Sequence, residues 1–84
     1  MNNVYARLEH PYSGYDQDRI KVMHIDKSEF YLVKSIDVGG FVSYIEIEDY
    51  EGSFNSVNFE FYTYEYGEMV PYDIYTNCYD KDYL

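Results

Sequence analysis

The feature that most constrains the fold is the run from Phe54 to Tyr66, Phe-Asn-Ser-Val-Asn-Phe-Glu-Phe-Tyr-Thr-Tyr-Glu-Tyr, the longest aromatic-rich stretch without Gly or Pro. Taken with period two, Val57, Phe59 and Phe61 fall on one side, and Glu60, Tyr62, Tyr64 and Tyr66 on the other. Alternation of this kind in aromatic and β-branched residues marks a strand with one buried face. A carboxylate followed by three phenols makes the second face unusual. It either packs beneath another layer or presents acidic and aromatic groups to a partner.

Other strands follow from the same period. Residues 3–9 alternate Val4, Ala6 and Leu8 against Tyr5, Arg7 and Glu9. His10-Pro11-Tyr12-Ser13-Gly14 breaks the chain, with a short helix near 12–18 as the alternative to loop. Arg19 to Ile25 reads as a second strand, and Asp26-Lys27-Ser28 as its hairpin connection. Glu29 to Ile36 is a third, apolar on both sides and so expected at the centre of the sheet. Gly39-Gly40 supplies a turn, after which Phe41 to Glu48 points Phe41, Ile45 and Ile47 inward and Tyr44, Glu46 and Glu48 outward. Residues 49–53 turn again before Phe54–Tyr66, a strand bent near Asn55-Ser56. Met69 to Tyr75 is the last strand, placed at an edge because Pro71 has no N–H to donate. Residues 76–84 form a polar, acidic tail expected to fray. The expected fold class is all-β: an antiparallel meander of five to six strands, forming a small barrel or a strongly twisted sheet. Residues 1–84 make a single domain.

At 84 residues the core is small. The aromatic fraction of 21%, with 13 tyrosines and no tryptophan, argues against disorder. The one cysteine, Cys78, cannot form an internal bridge, which excludes a disulfide scaffold. No run has the length or composition of a signal or membrane-spanning segment, so a soluble cytoplasmic protein is expected.

Charge divides the chain. Residues 1–42 hold five bases and six acids, whereas residues 43–84 hold ten acids and only Lys81 as a base. The net charge of −10 disfavours nucleic acid and anionic membrane as direct ligands and favours a basic protein surface.

No catalytic motif, metal site or cofactor site is evident. His10, His24 and Cys78 match no zinc spacing. Asp49, Glu51 and Ser53 around Gly52 lack the twelve-position calcium loop and read as an acidic hairpin tip. Glu46 and Glu48 have no cleft to set their pKa values apart for acid–base work. What remains is an acidic, phenolic surface. Glu46 and Glu48 lie i, i+2 on a strand, about 6.7 Å apart, a step resembling that between successive phosphates. Tyr44, Tyr50, Tyr62, Tyr64 and Tyr66 add rigid contact area and hydroxyls. With Asp49, Glu51 and Glu60 they form the candidate partner-binding set, suited to receive Lys and Arg. A hairpin through Gly52 joining the fourth and fifth strands would merge Glu46, Glu48, Glu60, Tyr62 and Tyr64 into one patch.

In size, acidity and lack of catalytic motif, the whole chain resembles the small proteins with which bacteriophages block host defences: anti-CRISPR proteins, anti-restriction proteins and inhibitors of DNA-repair glycosylases. The resemblance implies a non-enzymatic inhibitor acting by imitation of DNA charge in the host cytoplasm. Its partner would be the basic nucleic-acid-binding surface of a Cas effector or restriction enzyme. The alternative is an interaction module, such as a transcription regulator or structural adaptor, that binds a host protein through an aromatic patch.

Overall fold

The computed structural model describes residues 3–75. Six strands form one antiparallel sheet: β1 (Val4–Leu8), β2 (Tyr31–Asp37), β3 (Tyr44–Ile47), β4 (Phe54–Asn55), β5 (Phe59–Glu65) and β6 (Glu68–Pro71), in the spatial order β4-β3-β2-β1-β5-β6. β1 through β4 form a meander, and the chain then passes to the other side of β1 to add β5 and β6. The edges, β4 and β6, do not pair with each other, so the sheet is open rather than a closed barrel. Pro71 lies in edge strand β6, as its missing N–H requires.

The sheet is nevertheless strongly curled, and the connection between β4 and β5 shows why. Laid flat, these strands would stand four spacings apart, about 19 Å. Only the 3₁₀ turn Ser56–Asn58 separates them, and the four steps from Asn55 to Phe59 reach at most about 14 Å. The sheet must therefore bend until its β4 edge approaches β5. Phe54 and Phe59 meet across the opening with ring centroids 6.2 Å apart. A bulge between Val33 and Ser35, where β2 pairs with β3, contributes to the bend. The expected strand from Phe54 to Tyr66 is thus broken at Asn55, and no hairpin joins the strand of Glu46 to that of Glu60.

The inside of the curl is the core. Ala6, Leu8, Tyr31, Ile45, Ile47, Phe54, Phe59 and Phe61 are buried there in the period-two positions of their strands. β2 lies between β1 and β3, as its two apolar sides imply.

The second expected strand, Arg19 to Ile25, is a correction. Asp16–Val22 is helix α1, and only the alternative of a short helix after Tyr12 anticipated it. Buried positions follow the helical spacing Asp18, Val22 and Ile25, while Ile20 and Met23 point to solvent. The first buried position is an acid, which conceals the apolar stripe. Asp18 occupies it because its Oδ2 accepts the Tyr15 N–H at 2.9 Å and an Asn55 Nδ2–H at 3.0 Å. The helix start is thereby tied to β4. Asn58, fully buried, donates from Nδ2 to the carbonyls of His10 and Ser13, fastening the β1–α1 connection to the start of β5.

Candidate functional site

Because side chains alternate, each core strand also carries an outward row, and these rows together form the convex face. β3 contributes Tyr44 and Glu46, and Glu48 follows directly after it. β5 contributes Glu60, Tyr62 and Tyr64. Register assigns the same side to their neighbours: Tyr5 opposite Tyr62 and Leu32, Arg7 opposite Glu60, and Ser35 opposite Glu46. The two expected rows therefore share a face, but β2 and β1 lie between them. Measured along the sheet the separation is three strand spacings, about 14 Å. They flank a central strip rather than fuse into one patch.

That strip is aromatic and contains a cation. Phe30 meets Tyr62 edge-on at 5.1 Å, and the Arg7 guanidinium sits 5.3 Å from the centroid of the Phe30 ring. Such contacts hold flat, amphipathic surface in fixed geometry. The Tyr62 hydroxyl donates to Glu9 Oε2. That hydrogen bond, then partial burial, pushes the Tyr62 phenol up to about 12. Glu60 is not an isolated carboxylate, since its Oε2 lies 2.5 Å from His10 Nε2. Glu46 Oε1 accepts from the Ser35 hydroxyl at 2.9 Å.

The other expected site residues fall elsewhere. Tyr50 packs edge-on against Tyr31 at 5.4 Å and beside His24 at 5.8 Å, on the flank of the core. Asp49, at φ 76°, and Glu51 are exposed in the turn after β3. Tyr66 forms the tip of the β5–β6 hairpin. The partner-binding set read from the sequence does not contain Arg7, His10 or Phe30. Their relation to Glu60 and Tyr62 depends on β1 pairing with β5 across more than fifty residues, and no local pattern announces that.

Among the described residues, no group of three or more His, Cys, Asp or Glu side chains is placed to hold a metal ion. None of their helices is long and apolar enough to cross a membrane. Cys78 and the tail 76–84 lie outside the described residues. A family model described as Bacteriophage T4 protein Y07B matches residues 3–84. No curated protein and no solved structure matches the chain.

Proposed function

The chain belongs to that bacteriophage family, and from this premise we propose that it is a non-enzymatic inhibitor that occupies the basic nucleic-acid-binding surface of a host protein and excludes DNA from it. The observation that carries the reading is the convex face. Its flanking rows, with Tyr44, Glu46 and Glu48 on one side and Glu60, Tyr62 and Tyr64 on the other, bracket a rigid aromatic strip. The turn residues Asp49 and Glu51 are exposed beyond the end of the first row. The described chain has no Lys or Arg after Lys34, so nothing in β3 to β6 offsets this field. A surface of carboxylates and phenols receives arginines and lysines that otherwise hold phosphate. A Cas effector or restriction enzyme in the host cytoplasm is the target class that this chemistry and a phage origin favour.

The test starts from a tagged copy expressed in host cells, with the co-purifying protein identified and purified. The native chain is then titrated against that protein with duplex DNA as competitor at two salt concentrations. A mimic competes with DNA and loses affinity steeply as salt rises. Glu46→Gln, Glu48→Gln and Glu60→Gln together should weaken binding by about 1–3 kcal/mol for each pair that is desolvated in the complex, and less for rim positions.

The strip of Tyr5, Phe30, Leu32 and Tyr62 favours a second reading, in which the chain is an interaction module held by an apolar and aromatic contact. In that case DNA does not compete, salt has little effect and the triple variant binds like the native chain.

A further inference from the structure

Two features at opposite ends of the sheet are unused by the convex face. The first is the β5–β6 hairpin tip. Glu65 pairs with Glu68, so only Tyr66 and Gly67 turn the chain, at φ 51° and φ 85°. Two successive residues at positive φ make a type I′ turn, whose first central position favours Asn, Asp or Gly. A tyrosine there is strained, and its side chain is 100% exposed. Neither turn propensity nor packing accounts for it. It stands as an aromatic knob with a carboxylate on either side.

The second feature is a groove of about 480 Å³ between α1 and the turn that follows β1. Leu8, Val22 and Ile25, all buried core residues, line its floor. Tyr12 and Met23, 82% and 79% exposed, line its walls, and Pro11, Arg19 and Lys27 complete the lining. Two of the five bases of the described chain thus border an open apolar groove. Arg19 also lies 3.5 Å from Asp16, but in an exposed pair that holds it weakly.

The knob and the groove are complementary in charge, and each offers apolar surface, an exposed ring on one and a core-lined floor on the other. They cannot meet within one molecule. The groove adjoins Leu8, at the end of β1 opposite Phe59, while Tyr66 lies seven residues further along β5, about 24 Å away. We propose that a second copy of this chain fills the groove with its β5–β6 tip, placing Tyr66 between Tyr12 and Met23 and bringing Glu65 and Glu68 to Arg19 and Lys27. The contact is heterologous: each molecule offers a knob at one end and a groove at the other, so copies add head to tail. A hairpin tip in a shallow groove covers less than a standard interface, so association is weak and concentration-dependent. The net charge of −10 opposes it until salt screens the long-range repulsion. The inference stands apart from the binding of a basic host protein.

The experiment is sedimentation equilibrium of the full chain at about 0.15 M salt, from about 10 µM to about 1 mM. The weight-average mass of the native chain should rise well above the 10.1 kDa monomer with no fixed end point. Tyr66→Asn suits the turn and removes the knob. Met23→Lys is tolerated at an exposed position and closes the groove. Each variant alone should stay monomeric while keeping the native circular dichroism. Mixed in equal amounts they should associate again, because one keeps its groove and the other its knob, and the mass should stop at a dimer. A native chain that remains monomeric over the whole range overturns the proposal. So does association that survives in either single variant, or a mixture that stays monomeric.

Discussion

The concave and convex faces of the sheet are made by the same strands, residue by residue in alternation, yet they answer to different constraints. Along β5, Phe59, Phe61 and Thr63 are closed into the core while Glu60, Tyr62 and Tyr64 look outward. The inner row is interchangeable in kind, since any well-packed apolar set of that volume would serve. The outer row lies outside that packed set. An acid paired with a histidine, a phenol on a carboxylate and an arginine over a phenylalanine hold side chains in place without adding core. The inner face therefore records how the chain folds, and the outer face is where a partner can be read.

Paired substitutions along one strand give the strongest test of that division. Phe61→Ala opens a cavity in the core and should cost about 3–5 kcal/mol, a large part of the stability of a domain this small. Tyr64→Ala, three residues on and facing outward, should change stability by less than about 0.5 kcal/mol. Urea unfolding midpoints of the two variants decide the matter. Similar losses from both would mean that the convex face is covered in solution.

A smaller effect is expected where α1 is tied down. Gly14 has φ 84°, and a Cβ there would lie 2.9 Å from Asp18 Oδ2. Gly14→Ala combines backbone strain with pressure on the carboxylate that binds Tyr15 and Asn55. It should destabilise by about 1–3 kcal/mol, visible as a lower thermal midpoint. An unchanged midpoint would show that the helix start is free to relax, and that Asp18 does not anchor it.

These sites also mark what could be read from the sequence. The alternation in β5 and in the Tyr44–Ile47 part of β3 was legible because burial imposes period two on consecutive residues, whereas Phe41, expected to point inward, precedes β3 and is exposed. Pro71 declared its edge through chemistry local to one position. α1 was legible only as the alternative of a short helix near 12–18, since a buried aspartate satisfied from outside the helix interrupts its apolar stripe. The bend at Asn55-Ser56 was visible, but not its consequence. Whether a bend continues a strand or carries the chain to the far edge of the sheet depends on curvature set by non-local pairing. The same limit applies to the candidate site. That Tyr44, Glu46, Glu60, Tyr62 and Tyr64 point outward was legible; that Tyr50 would pack against Tyr31 and His24, that Glu60 would face Arg7 and His10, and that β2 and β1 would separate it from Glu46, was not.

The carboxylates of the convex face sharpen the comparison from the other side. Glu46→Gln, Glu48→Gln and Glu60→Gln combined should leave the thermal midpoint nearly unchanged. The hydrogen bond from Ser35 can be kept by an amide, and the exposed His10–Glu60 pair contributes only about 0–1 kcal/mol. Relief of like-charge repulsion acts in the opposite direction. A large stability loss would assign these residues to folding and remove the reason for assigning them to a partner.

Tyr62 gives the finest test, because it belongs to the convex face yet is held in place. Its hydroxyl donates to Glu9, and the hydrogen bond and partial burial raise the phenol from 10.0 to about 12. A raised value means that the folded state favours the protonated phenol. The resulting stability is complete below pH 10, the value in the unfolded chain, and is lost as pH rises from there through about 12. Tyr31, raised chiefly by burial, acts in the same direction, but it is present in native and variant alike and cancels in their difference. Tyr62→Phe should therefore flatten the alkaline decline of the urea midpoint, with little change near neutral pH. Glu9→Gln, which keeps an acceptor but removes the charge, should bring the Tyr62 phenol back toward its ordinary range, as read from tyrosinate absorbance. If native and Tyr62→Phe proteins lose stability in parallel above pH 10, the phenol is not held by Glu9. The central strip of the convex face would then be looser than its ring contacts imply.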